Sequence, residues 1–313
     1  MTALVADIGG TNTRVALAEG AKVLADSVRR YRNADHDGLN GVLAAFMAQA
    51  GHPALTGACV ALAGPVRDGV GRMTNLDWTV TETDIAGVTG AGRVALLNDL
   101  QAQGHALDHL PGGALAPVLP GPQAPGAARL VIGLGTGVNV SAVHRCGSAL
   151  IATAAEAGHV TLPAMRAEEL ALAQHAAGAD GFASVEDVLS GRGVEALFAW
   201  VTMRAGTPRR MTASQIVAAA PDDAGAEAAL ELYTRLLGRV AGDLALHHLP
   251  FGGIYLIGGV ARAVTPHLPR LGLADSFRDK GRFAGLMEEF AIHTLTDDYA
   301  ALTGCAACLN HPD

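Results

Sequence analysis

The sequence predicts an α/β protein of two domains with a ligand cleft between them, and three observations carry that expectation. The first is the stretch Leu4-Val5-Ala6-Asp7-Ile8-Gly9-Gly10-Thr11-Asn12-Thr13-Arg14-Val15-Ala16-Leu17, two apolar strand-like runs around a polar turn, which reads as a β-hairpin. The second is a repeat of that pattern, Arg129-Leu130-Val131-Ile132-Gly133-Leu134-Gly135-Thr136-Gly137-Val138-Asn139-Val140-Ser141-Ala142-Val143. The third is size: 313 residues correspond to about two domains. With 50% hydrophobic and only 17% charged residues, each domain can bury a substantial core.

The first hairpin has the chemistry of an anion site. Glycine at positions 9 and 10 permits positive φ and removes two Cβ atoms, so that successive N–H groups can approach phosphate oxygens, while Thr11 and Asn12 add side-chain hydrogen-bonding groups. Ala6, Asp7, Ile8, Gly9, Gly10, Thr11 and Asn12 are therefore the first candidate nucleotide-binding segment. Asp7 stands at the strand end, where a carboxylate repels phosphate unless a divalent cation lies between them; Mg²⁺ held through water is the usual mediator, which makes Asp7 the candidate metal contact. An ordinary Gly-rich hairpin is the competing reading, and the second copy, with Gly135, Thr136 and Gly137 in its turn, tells against it. A third Gly-rich turn, Gly258-Gly259, ends the apolar run Ile254-Tyr255-Leu256-Ile257, and a fourth run, Val94-Ala95-Leu96-Leu97, ends in Asn98-Asp99.

Composition removes several classes of function. A net charge of −8 argues against a surface that tracks nucleic-acid phosphates, and 4% aromatic residues leave few platforms for stacking bases. No basic leader with a long apolar run precedes Asp7, and no apolar run approaches the roughly 18–20 residues of a membrane span, so a cytoplasmic protein is expected. Cys59, Cys146, Cys305 and Cys308 form no evident disulfide framework. Cys305-Ala306-Ala307-Cys308 has redox spacing, but it lies in an apolar segment where cysteine packs as a small hydrophobe, and no second pair completes a zinc site.

Further elements follow in order. Residues 37–50 carry Leu39, Val42, Leu43, Phe46 and Met47 at helical spacing and stop at Gly51. Cys59-Val60-Ala61-Leu62-Ala63 is an apolar strand turned by Gly64-Pro65, and Arg72-Met73-Thr74-Asn75-Leu76-Asp77-Trp78 follows. Residues 100–110 read as a helix in which His105 and His109 form a solvated pair, and the Pro/Gly-rich stretch 111–126 marks a domain boundary or hinge. Ser184 and the acids after it have the form of an N-cap box, which would place Glu186 merely in a favourable first helical turn. Helices are expected over 194–205, over 212–220 with a Thr212/Gln215 box, and over 223–248 with an apolar stripe of Leu230, Tyr233, Leu237, Val240 and Leu244. Asp297-Asp298 precedes a last apolar segment that either acid could cap.

The order of these turns resembles the sugar kinases of the actin, hexokinase and Hsp70 superfamily, and more narrowly the zinc-free bacterial glucokinases, from Asp7 to about Gly304. The resemblance implies an actin-like, ribonuclease H-like fold: a smaller domain over 1–110 rejoined by a closing helix at about 299–313, and a larger one over 111–298. It makes Gly258-Gly259 the adenosine-side turn, and it makes Glu186, first residue of Glu186-Asp187-Val188-Leu189-Ser190-Gly191-Arg192-Gly193, a sugar ligand. In the related repressor and kinase group a His like His159 is followed by a Cys-rich zinc module; here Val160-Thr161-Leu162-Pro163 follows instead, so no structural zinc is expected.

Phosphoryl transfer asks for positioning, charge neutralisation and a base for the hydroxyl proton. Asp99, just past a strand end, is the candidate base, with Asn98 beside it able to donate to and accept from hydroxyls; a strand-to-helix turn with an N-cap Asp is the structural alternative. Glu156, His159 and Glu186 suit a polyol. The expectation is an ATP- and Mg²⁺-dependent kinase acting on the 6-hydroxyl of glucose. Alternatives are a kinase for fructose, mannose or an amino sugar and, more remotely, a sugar sensor without catalysis. Partners are then a sugar and a nucleotide, with no nucleic acid and no membrane, and by resemblance a second copy in a homodimer. One departure stands out: Asn139 occupies a position where the resembling family often has Gly, and Asn tolerates left-handed backbone better than most residues. Since Asn98 and Asp99 precede the boundary stretch while the other sugar ligands follow it, sugar binding is expected to draw the two domains together.

Overall fold

A computed structural model describes residues 2–73 and 76–310 and groups the chain into two compact units. The first holds Met1–Gly112, Val143–Ala154 and Asp297–Asp313. In it β1 (Thr2–Ile8) and β2 (Asn12–Glu19) form the antiparallel hairpin, with Asp7 opposite Arg14 and Ile8 opposite Thr13. Two short strands, β3 (Lys22–Val23) and β4 (Arg29–Arg32), add to β2. Helix α1 (Leu39–Gln49) follows, with Gly51 at a left-handed φ of 75° just beyond it. Strand β5 (Gly57–Leu62) runs parallel to β1. A small antiparallel sheet of β6 (Val66–Arg67), β7 (Val70–Arg72) and β8 (Thr79–Thr81) comes next, then α2 (Glu82–Thr89). Strand β9 (Arg93–Asn98), parallel to β5, leads directly into α3 (Asp99–Ala106). Thr74 and Asn75 of the segment after β7 lie outside the described residues.

The period of two along β1 divides its side chains between two cores. Leu4, Ala6 and Ile8 pack with Val42, Leu43 and Phe46 of α1 and Ile85 of α2, while Val5 packs with Ala102 of α3. His105 in α3 is not solvated, as its spacing from His109 suggested, but buried at 7% exposure, because the face it shares with Ala102 and Ala106 is covered.

The second unit holds Gly113–Ala142 and Ala155–Thr296. The stretch 111–126 contains a strand, β10 (Leu115–Leu119), at the edge of the sheet; an edge tolerates Pro117, and the register shifts between Pro117 and Leu119. The second hairpin is β11 (Arg129–Leu134) and β12 (Val138–Cys146); the far end of β12 pairs with β13 (Ala149–Ala152), in a segment that groups with the first unit. Helices α4 (Ala167–Ala176), α5 (Glu186–Leu189), α6 (Gly191–Arg204), α7 (Ala213–Ala219) and α8 (Ala224–His248) come before β14 (Ile254–Ile257). After it lie α9 (Gly259–Val264), α10 (Leu273–Arg278) and β15 (Ile292–Leu295). Strand β14 is parallel to β11 and β15 is parallel to β14, so this sheet repeats the first: a hairpin followed by two parallel strands. Leu230, Tyr233, Leu237 and Val240 of α8 join Leu130, Ile132 and Leu256 of the sheet in one core.

The chain then returns to the first unit with α11 (Ala300–Asn310), where Ala301, Leu302, Cys305 and Ala306 pack with Val5 and Cys59. Cys305 is fully buried there, as a small hydrophobe.

Candidate active site

The first hairpin is fixed from outside its own turn. Gly9 N–H donates to the Asn12 carbonyl at 3.0 Å, but Gly9 does not adopt a positive φ; a Cβ there would lie 3.3 Å from the Asn12 oxygen, so room rather than handedness is what glycine supplies. Asn33, which no motif singled out, is 3% exposed and holds the turn. Its Oδ1 accepts from Thr13 Oγ1–H at 2.8 Å, its Nδ2 donates to the Gly9 carbonyl at 2.8 Å, and its N–H donates to the Thr11 carbonyl at 2.9 Å. Gly10 and Thr11 stay exposed, whereas Ala6 and Ile8 bury their side chains and can offer a ligand only backbone groups. The Asp7 side chain is 20% exposed. Burial pushes its carboxyl above the ordinary value, and Arg14, 3.9 Å across the hairpin, opposes that push.

Asn98 and Asp99 divide the roles at the β9–α3 junction. Asn98, not Asp99, is the N-cap: its Oδ1 accepts from Leu100 N–H at 2.9 Å and its N–H donates to Gln101 Oε1 at 3.1 Å. Its Nδ2 donates to the Gly64 carbonyl at 3.1 Å, tying the ends of β5 and β9 together. Asp99 is the first helical residue and is partly exposed, and its Oδ1 accepts from Leu100 N–H at 2.9 Å.

In the second unit the Gly turns and a carboxylate converge. Gly135 N–H donates to the Gly137 carbonyl at 3.0 Å, and the Gly135 carbonyl accepts from Gly191 N–H at 2.8 Å. Thr136 is exposed at the tip. Glu186, at the start of α5, places Oε2 against this turn, accepting from Val138 N–H at 2.9 Å; a Cβ on Gly137 would lie 2.8 Å from that oxygen. Arg192 reaches Glu186 Oε1 at 3.5 Å. Gly258 has φ 107°, and a Cβ there would come within 2.4 Å of the Leu134 carbonyl, so only glycine lets β14 turn into α9 beside the hairpin; at Gly259 a Cβ would meet open space.

Glu156 precedes, and His159 ends, the short 3₁₀ turn Ala157–His159 next to the same hairpin. His159 N–H donates to the Glu156 carbonyl at 3.1 Å. Partial burial pushes the Glu156 carboxyl above its ordinary value; His159 opposes the push and Glu186 adds to it. Asn139 is in β12 with a negative φ, not the left-handed turn residue its position had indicated, and its Nδ2 donates to Glu156 Oε2 at 3.3 Å. The Ser184 box forms as read: Asp187 N–H donates to Ser184 Oγ at 3.2 Å, and Asp187 Oδ2 accepts from Ser184 N–H at 2.8 Å.

The structure thus gathers Gly135, Gly137, Gly258, Glu156, His159 and Glu186 in one unit, and the first hairpin, Asn98 and Asp99 in the other. Among the described residues no cluster of three or more His, Cys, Asp or Glu is arranged to hold a metal ion. A lone carboxylate such as Asp7 matches Mg²⁺, which binds through one or two carboxylates while phosphates and water complete its shell.

The sequence profile of the glucokinase family matches residues 4–312. The glucokinase of Chromohalobacter salexigens is 31% identical over 313 residues, covering 99% of this chain and 98% of that protein. That of Chromobacterium violaceum is 32% identical over 309 residues, covering 98% and 88%. Among solved structures, a glucokinase from an Antarctic psychrotroph superposes with a TM-score of 0.86 at 27% identity, over 98% of each chain. A Balamuthia mandrillaris glucokinase in complex with glucose has the same fold, with a TM-score of 0.80 at 23% identity over 97% and 92% of the two chains.

Proposed function

The chain belongs to the glucokinase family and is an ATP-dependent glucose kinase; we propose that Asp99 takes the proton from the 6-hydroxyl of glucose while Glu156, His159 and Glu186 hold its other hydroxyls. Each carboxylate accepts from hydroxyl donors, and the imidazole donates to or accepts from another. Asn98, whose cap bonds to Leu100 and Gln101 keep Asp99 in place, has a second amide hydrogen for a sugar hydroxyl. A pocket of this kind rejects an analogue lacking one hydroxyl by up to about 10⁴–10⁵, because its own polar groups are left unpaired.

On the nucleotide side, Gly9, Gly10, Thr11 and Asn12 of one hairpin and Gly135, Thr136 and Gly137 of the other offer N–H groups to phosphate oxygens. Gly258 and Gly259 leave room for the adenosine. Asp7 would hold Mg²⁺ through water, and the ion would neutralise charge on the phosphates. By family resemblance the working form is a zinc-free homodimer in the cytoplasm, and light scattering on the eluted protein reads its mass.

The observation that supports this reading best is that Glu186 and Glu156 both bond to the second hairpin, at Val138 and Asn139, with the His159 N–H on the Glu156 carbonyl. Asp99→Asn tests it. The variant should still bind glucose by calorimetry while kcat falls by roughly 10²–10⁴, the range for loss of a positioned general base. Retention of more than a tenth of the wild-type kcat would remove Asp99 from that role.

A further inference from the structure

We propose that Asn139, although it stands in the nucleotide-side hairpin, is a positioning residue for the sugar, holding Glu156 in the geometry a hydroxyl needs. The inference rests on the assignment of Glu156 as a sugar ligand. Asn139 Oδ1 accepts from Val140 N–H at 2.8 Å and from Ala157 N–H at 3.1 Å, and Nδ2 donates to Glu156 Oε2 at 3.3 Å. One side chain therefore joins β12 to both the backbone and the carboxylate of the Glu156 segment. A glycine at this position supplies none of the three bonds.

The need for such a donor follows from the charges around Glu156. The titratable groups that act on it are His159 and Glu186, and Arg192 reaches Glu186. Glu186 repels Glu156, and partial burial disfavours its charge further. An amide N–H on Oε2 favours the ionised carboxylate without adding a charge of its own. It also fixes which way the carboxylate faces, since only Oε2 is engaged by Asn139.

Two variants separate this role from a part in the nucleotide turn. Asn139→Asp keeps the acceptor for Val140 and Ala157 but sets a second carboxylate against Glu156 Oε2. Its KM for glucose should rise by at least about tenfold near pH 8, the scale of a lost hydrogen bond to a charged group, while its KM for ATP stays within about twofold. The defect should shrink toward pH 6, because one proton shared by the two carboxylates restores the bridge. Asn139→Gly, which adds no charge, should raise the glucose KM without the recovery toward pH 6, since no second carboxylate is there to share a proton; it carries the glucose-against-ATP comparison if Asn139→Asp does not fold by circular dichroism. A rise in KM for ATP with that for glucose unchanged, no change in either variant, or an Asn139→Asp defect indifferent to pH would overturn the proposal. Both variants are assayed on the sugar the wild type uses best, so a preference for another hexose would count against the glucose assignment while leaving this comparison readable.

Discussion

Asn33 reaches back twenty residues to Thr13 and bonds Gly9, Thr11 and Thr13 from a buried position. Asn33→Ala would strand the Thr13 hydroxyl and the Gly9 carbonyl, at about 1–3 kcal/mol for each buried group left without a partner. Urea unfolding should therefore register a loss of about 2 kcal/mol or more, and the KM for ATP should rise more than that for glucose; unchanged stability would mean that the hairpin stands without it. Nothing in the spacing of the sequence marks Asn33, because its role exists only once β4 has paired with β2. Asn139 was visible as a departure from glycine, but the turn alone could not show its partners, Glu156 and Ala157, which lie 17 and 18 residues away. Asp7, Asn98 and Asp99 were legible as polar groups at strand ends, whereas Glu186 read locally as a first-turn acid and entered the site only through the family resemblance. What could not be read was that Asn98 caps α3 and that Glu186 also braces the Val138 N–H.

Elements with strong periodicity or local caps were readable from sequence. The two hairpins, β5, β9, β14 and α1 have clean apolar patterns, and α7 and α8 carry their own start signals: Thr212 with Gln215, and Asp223, whose Oδ1 accepts from Ala226 N–H at 2.9 Å. The short α9 and α10, the Pro-containing β10 and the segment around α4 have no such signal. In α4, Glu169 looks like half of a solvated Glu-Glu pair, yet it is fully buried. It accepts from Met165 N–H at 2.8 Å and Arg166 N–H at 3.0 Å and pairs with Arg239 and Arg235. Burial pushes its carboxyl up, but those N–H groups and Arg239 outweigh the push and hold it below its ordinary value. Strand β15 carries an opposite case in His293, whose ring stacks at 5.9 Å on Tyr255 of β14 and whose pKa burial lowers from 6.5. Because the unfolded chain takes up this proton more readily, the contribution of His293 is complete above about pH 6.5 and is lost as pH falls from there toward its depressed folded value. Urea unfolding between about pH 7 and pH 5 should accordingly have a shallower slope in His293→Phe than in the wild type; identical slopes would exclude His293 as a source of acid sensitivity.

At the scale of the molecule, the repeated Gly/Thr hairpin foretold the repeated sheet, since each copy begins a hairpin followed by two parallel strands. The grouping of Val143–Ala154 with the first unit had no sequence signal, because β12 is one continuous strand whose two ends fall in different units. No helix among the described residues is long and apolar enough to cross a membrane. The kinase reading makes a prediction about metal for the whole protein: activity should vanish with EDTA and return with Mg²⁺, and elemental analysis should find no stoichiometric zinc. One tightly held zinc per chain would contradict the roles given to Glu156 and His159. The central claim, that this chain phosphorylates glucose, is tested most directly by coupled ADP release with ATP and a panel of glucose, fructose, mannose and N-acetylglucosamine. Glucose is expected to give the highest kcat/KM; a tenfold or greater preference for any other sugar in the panel would contradict it.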